Sequence, residues 1–125
     1  MKVLLVDDEA DIRLIAALSL SGAGGMEVAQ AASGREGILM AREGRPDVIL
    51  LDMMMPGLDG VATFRELRGH PETAETPVVF LTAKAMSSDV DRLKRLGALG
   101  VLIKPFDPMA LPRLLRELLE AARPG

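Results

Sequence analysis

Five short apolar runs, KVLLV (2–6), MEVAQA (26–31), DVILL (47–51), VVFLT (78–82) and GVLI (100–103), alternate with segments of helical periodicity, and this alternation restricts the fold more than any other feature. Runs of this length and composition read as strands, and strand followed by helix followed by strand is the unit of a parallel sheet. Five units in 125 residues leave about 25 residues each, close to the least a βαβ crossover needs. The first, third and fourth runs are apolar nearly throughout, with no polar residue at every second position. Strands of that kind are covered on both faces, so the expected fold is α/β: a doubly wound, five-stranded parallel sheet flanked by five helices.

Boundary signals agree. Ser33 with Glu36 three residues later forms a capping box ahead of GREGILMARE, and Asp107 before Pro108 reads as N-cap and first helical residue. Pro46 and Pro77 stand just before the third and fourth strands. In the last helix Leu111, Leu114, Leu115, Leu118, Leu119 and Ala122 form one apolar stripe, with Pro112 expected to disturb the first turn. The closing ARPG is expected to fray. With 49% hydrophobic and 26% charged residues, and no repeat or low-complexity linker, residues 1–125 read as one domain. A chain of this size buries roughly two-thirds of its unfolded surface.

The charge balance narrows the function. A net charge of −3 without any Lys/Arg-rich run argues against direct nucleic-acid binding, which leaves proteins and small ions as partners. Without cysteine there is no disulfide or thiolate chemistry, and a single histidine, His70, supports neither a His-ligated metal nor a His-driven triad. No apolar run reaches the ~18 residues of a membrane span, and MKVLLVDDE meets acids too early for a signal peptide. A cytoplasmic location is therefore the expectation.

In a doubly wound sheet, ligands bind outside the carboxyl ends of the strands. There the sequence places Asp7 and Asp8 after strand one, Asp52 after strand three, Thr82 at the end of strand four and Lys104 after strand five. Singly, each has an ordinary reading: the acids as helix caps or turn residues, Thr82 as a strand residue, Lys104 as a solvated charge. Together at one edge, three carboxylates repel one another and call for a cation. All-oxygen ligands without His or Cys select a hard ion, Mg²⁺ or alternatively Mn²⁺. A hard ion and an ammonium around a carboxylate would stabilise a phosphoryl group transferred to that carboxylate.

The full pattern, D-D after strand one, D-x-x-M-P-G-x-D-G after strand three, T-A after strand four and K-P-F after strand five, resembles the receiver domain of two-component response regulators, the CheY-like superfamily. The resemblance covers essentially the whole chain and implies the strand order 2-1-3-4-5. It further implies that Asp52 accepts a phosphoryl group from a histidine kinase, a phosphotransfer protein or a small phosphodonor. Asp8, Asp52 and the carbonyl of Met54 would ligate Mg²⁺, with Asp7 acting through water. Lys104, the Thr82 hydroxyl and the backbone N–H groups of Met54 and Ala83 would hold the phosphoryl oxygens, and the Lys104–Pro105 peptide would be cis. Such a domain is a signalling protein rather than a turnover enzyme, here expected to be monomeric and to address a downstream protein.

Two departures from the pattern stand out. Val101 occupies the position where receivers commonly carry Tyr or Phe, so the signal is expected to run through residues 83–88 to the face of helix four, strand five and helix five. GALGVLIKPFDPMAL is too apolar for the charged dimerisation set of DNA-binding regulators, which favours a stand-alone receiver or one detached from a larger protein. Met53, Met54 and Met55 read as loop and packing rather than a soft-metal site. Competing folds fit less well: a haloacid-dehalogenase-type phosphatase wants a second Asp at position 54, and a flavodoxin-like carrier wants a phosphate-cradling loop where Asp7 and Asp8 stand. A purely structural domain would leave the acids without a reason.

Overall fold

The apolar runs pair side by side in one parallel sheet, in the order β2-β1-β3-β4-β5. The computed structural model describes residues 1–83 and 86–122. The strands are β1 (Lys2–Val6), β2 (Glu27–Ala31), β3 (Val48–Asp52), β4 (Val78–Thr82) and β5 (Gly100–Ile103). Between and after them run α1 (Ala10–Ser21), α2 (Gly34–Gly44), α3 (Gly60–Arg68), α4 (Ser87–Leu96) and α5 (Leu111–Ala121). This is the doubly wound α/β architecture that the alternation predicts. No helix among the described residues is long and apolar enough to cross a membrane.

Strand periodicity here sorts apolar residues between two cores rather than separating apolar from polar. Leu4, Val6, Ile49, Leu51, Val78 and Phe80 face one way, under α2, α3 and α4. Val3, Leu5, Val48, Leu50, Val79 and Leu81 face the other, under α1 and α5. Every residue of β3 and β4 is buried, including Asp52 and Thr82. At about 1.5–3 kcal/mol for each fully buried Val, Leu or Phe side chain, these two layers supply the driving force that fixes the strand ends.

Several expected boundaries move. β3 runs from Val48 to Asp52, one residue later at each end than expected; Asp47 stands just before it, its carboxylate accepting from Lys2 N–H at 2.7 Å and its own N–H donating to the Lys2 carbonyl at 2.9 Å. β2 starts at Glu27, with Met26 held by its N–H to the Leu20 carbonyl at 3.0 Å. Ser33 caps α2 as expected, its hydroxyl accepting from the Glu36 N–H at 3.1 Å.

Asp107 does not cap α5. Its carboxylate accepts from Met109 N–H at 2.9 Å and its carbonyl from the N–H groups of Ala110 and Leu111, which makes a turn ahead of a helix beginning at Leu111. Pro112 then falls in the first helical turn, where a missing N–H costs no intrahelical bond, and the expected irregularity is absent. Leu111 and Leu115 are fully buried, Leu114, Leu118 and Leu119 partly, and Ala122 lies exposed beyond the helix. The expected frayed end falls on residues 123–125, outside the described residues.

Helix α2 ends on Arg45 in the left-handed conformation, with φ of 46°. A Cβ is disfavoured there and glycine is not. Arg45→Gly is expected to stabilise the fold by about 0.5–1 kcal/mol, since relief of the left-handed penalty exceeds the added chain entropy. Urea unfolding checks this: the midpoint rises with an unchanged slope.

Candidate functional site

Asp7 is the first residue beyond β1 and is fully buried. Its backbone N–H donates to the Ala31 carbonyl at 3.1 Å, carrying the β1–β2 ladder one step further. Its Oδ1 accepts from the Glu9 N–H at 2.9 Å, its Oδ2 from Lys104 Nζ at 2.8 Å, and its carbonyl from Arg13 Nη1 at 2.7 Å. Asp8 and Glu9 follow on the exposed rim.

Asp52 ends β3 and retains 2% of its surface. Its Oδ1 accepts from Met54 N–H at 3.2 Å and lies 3.3 Å from Lys104 Nζ. Its Oδ2 is buried and accepts no hydrogen bond. Thr82 ends β4, buried, opposite Ile103 in the register. Lys104 follows β5, its N–H donating to the Thr82 carbonyl at 2.8 Å and its ammonium turned inward to the acids. The peptide from Lys104 to Pro105 is cis.

The loop leaving β3 is held tightly. Met53 N–H donates to the Leu81 carbonyl at 2.9 Å, and Gly60 N–H to the Met53 carbonyl at 3.1 Å. Asp59 caps α3 by accepting from Ala62 N–H at 2.8 Å. A Cβ on Gly60 would stand 2.4 Å from the Asp52 carbonyl oxygen, so only glycine lets α3 begin directly against the end of β3. Met55 is buried in the core and Met53 packs beside it, whereas Met54 points outward; the methionine run is loop and packing.

Asp7, Asp8, Glu9 and Asp52 each offer a carboxylate oxygen, all within 4.8 Å of one another. Burial pushes the Asp52 carboxyl up to about 6 and the Asp7 charge adds to this, against the opposing pull of Lys104 and the Met54 N–H. Burial also disfavours the charge on Lys104, but its hydrogen bond to Asp7 and the charges of Asp7 and Asp52 outweigh that and hold its pKa above the usual lysine value. A single ammonium among four carboxylates leaves excess negative charge. The donor set is all oxygen, with one buried acceptor at Asp52 Oδ2 lacking a partner, and this suits a hard divalent cation.

The residues expected to act together, Asp7, Asp8, Asp52, Thr82 and Lys104, thus meet at one edge of the sheet, with Met54 tied to Asp52 through its amide. Glu9 is the residue that sequence reasoning missed. It lies 3.6 Å from Lys104 Nζ, and its signal was present as the third acid of the DDE run.

Residues 3–116 match the response regulator receiver domain family. The chain belongs to that family. It is 36% identical over 120 residues to Protein PilH of Pseudomonas aeruginosa, covering 94% of this chain and 97% of PilH. To the phosphate regulon transcriptional regulatory protein PhoB of the same organism it is 35% identical over 123 residues, 98% of this chain but 53% of PhoB. It matches a probable transcriptional regulator ycf27 of Porphyridium aerugineum at 38% identity over 94% of this chain and 48% of the regulator. The chain therefore spans about half the length of these transcriptional regulators. Among solved structures, chemotaxis protein CheY4 of Vibrio cholerae superposes with a TM-score of 0.87 at 36% identity, covering 94% of this chain and 97% of CheY4. Receiver domains of response regulators are signalling proteins, not turnover enzymes, and the phosphatase and flavin-carrier readings fall away.

In this receiver the raised Asp52 pKa has a definite consequence for stability. With a carboxyl at about 6 when folded and 3.8 when unfolded, the stability linked to Asp52 is fully present below pH 3.8 and lost as the pH rises through 6. In EDTA, Asp52→Asn is expected to raise unfolding free energy at pH 8 by on the order of 1–3 kcal/mol relative to its effect at pH 4. Denaturant unfolding at the two pH values checks this; an equal gain at both would rule out ionisation of the buried Asp52 carboxyl as its source.

Proposed function

We propose that residues 1–125 act as one receiver domain of a two-component phosphorelay, in which Asp52 takes a phosphoryl group in a Mg²⁺-dependent reaction. The donor is the phosphohistidine of a sensor histidine kinase or phosphotransfer protein, or a small phosphodonor. The observation that carries this reading is the free Oδ2 of Asp52: a buried carboxylate oxygen without a hydrogen bond, beside an ammonium already held in place. That oxygen attacks phosphorus; a P–O bond forms as the P–N bond to the donor imidazole breaks, and the electron pair stays on the imidazole nitrogen.

Lys104 takes one phosphoryl oxygen by a short swing from Asp52, and the Thr82 hydroxyl with the amides of Met54 and Ala83 takes the others. Asp8, Asp52 and the Met54 carbonyl would hold Mg²⁺, or Mn²⁺, and the ion would supply positive charge for the phosphoryl oxygens. An indirect role for Asp7 is supported by its two oxygens, which are already committed to Glu9 N–H and Lys104. Docking of a protein donor on α1 is supported by Leu14, Ile15 and Leu18, which are 55%, 43% and 63% exposed on the helix that starts beside the acids.

The phosphorylated state is read by a protein partner on the face formed by α4, β5 and α5. Val101 packs partly buried against the core and Ile103, beside Thr82 in the register, is 54% exposed. Movement of Thr82 toward the phosphoryl group therefore passes to Ile103 and to the backbone after β4, rather than to an aromatic ring. Of that connection, residues 84 and 85 lie outside the described residues.

A small acyl phosphate with Mg²⁺ is expected to add one phosphoryl mass, labile to hydroxide, by intact mass spectrometry. EDTA or Asp52→Asn abolishes the addition; a phosphoryl group retained on Asp52→Asn places the acceptor elsewhere. Adding beryllofluoride to the Mg²⁺ form is expected to shift backbone NMR resonances of Thr82, Ala83, Met86, Ser88 and Ile103 as well as the site itself. Changes confined to residues 7–8 and 52–57 would show a phosphate sink without a relay.

A further inference from the structure

Most arginine side chains in the described residues are engaged. Arg13 bonds the Asp7 carbonyl, Arg35 meets Glu66, Arg42 meets Glu72, Arg68 bonds the carbonyls of Thr73 and Thr76, Arg113 meets Glu117 and Arg116 bonds the Gly24 carbonyl. Arg65 of α3 and Arg92 of α4 have no hydrogen bond or ion pair among the described residues, yet both line one cavity of about 380 Å³ between the two helices. Asp59 also borders it, its Oδ1 accepting from Ala62 N–H to cap α3. Two guanidinium groups against one carboxylate leave the gap net positive, and with neither guanidinium paired the site favours a further anion.

The remaining wall is apolar and open. Met54 is 74% exposed and Leu96 41% exposed at the mouth, with Val61 behind them. A bare phosphate would satisfy the arginines and leave this surface wet. The volume lies near the low end for small-molecule pockets, which bury most of their ligand, whereas this space opens along the groove between two helices. Arg and Met side by side are typical of protein–protein contact surfaces, and the planar guanidinium matches a carboxylate two bonds at a time.

We propose that the α3–α4 cavity docks an acidic segment of a protein partner, one that sets a carboxylate between Arg65 and Arg92 and an aliphatic side chain on Met54 and Leu96. This surface shares α4 with the α4–β5–α5 face but is bounded by α3, and docking on it does not require phosphorylation of Asp52.

The test is an NMR titration of the intact chain, without Mg²⁺ or phosphodonor, using three blocked pentapeptides: Glu-Leu-Glu-Leu-Glu and its counterparts with Gln or Lys in place of Glu. The glutamate peptide is expected to shift the amides of Met54, Val61, Arg65, Arg92 and Leu96 saturably at millimolar concentration. The glutamine peptide binds at least about tenfold more weakly, a difference of about 1.4 kcal/mol, and the lysine peptide not at all. Arg65→Gln and Arg92→Gln each weaken the glutamate peptide several-fold, whereas Arg95→Gln, on the same helix outside the cavity, leaves it unchanged. Equal binding of the glutamine peptide, equal loss in Arg95→Gln, or no saturable shift up to about 10 mM overturns the proposal. The same shifts produced by inorganic phosphate alone overturn it in favour of a small-anion site.

Discussion

The Lys104 ammonium stands 2.8 Å from Asp7, 3.3 Å from Asp52 and 3.6 Å from Glu9, and the rest of the carboxyl edge is arranged around that contact. It joins the end of β5 to the ends of β1 and β3 across the breadth of the sheet. A buried ammonium is tolerated because carboxylates meet it, and the buried carboxylates are tolerated because the ammonium does. The match is incomplete, since one positive charge faces several negative ones. That imbalance separates this crevice from an ordinary structural ion pair: the fold holds a place for positive charge that the side chains of the described residues do not fill.

Much of this was legible beforehand because one physical rule did most of the sorting. Strands covered on both faces must be apolar, so β1, β3 and β4 announced themselves, and polar residues at their ends had only the sheet edge to occupy. Residues 7, 8, 52, 82 and 104 were found that way. What stayed hidden depended on tertiary competition. Asp107 has the look of a helix cap, but burial of Leu111 and Leu115 sets where α5 is anchored, and the residues between become a turn. Asp47 adjoins the apolar run in sequence, but the strand begins one residue later. Glu9 was read only as part of a charge run, since an exposed side chain carries no periodic signal. The cavity between α3 and α4 was beyond reach, because Arg65 and Arg92 are distant in sequence and nothing local marks them as neighbours.

The absence of an aromatic side chain at position 101 shows how a shared fold distributes its motion differently. Phe64 and Phe80, stacked with centroids 5.6 Å apart, lie in the core, and Arg68 covers Phe64 at 4.5 Å. These rings are locked by their neighbours and are not available to turn. In the proposed reading such a receiver expresses its state in backbone and small aliphatic displacements, on a surface exposing Ile103 and Met86. Such changes suit a partner that reads surface shape rather than the position of a single ring.

The contact between Asp7 and Lys104 also closes a loop of 97 residues, the longest reach of any polar contact in the crevice. Loop closure over that distance is costly and forms only after nearer contacts have been made. Strand β5 enters the sheet last in chain order and brings the ammonium with it. A chain lacking that strand would leave Asp7 and Asp52 without the Lys104 counter-charge, and burial with mutual repulsion would favour a protonated carboxyl there. The competence of the crevice and the completion of the sheet are in this sense one event, since the ammonium reaches the acids only with β5.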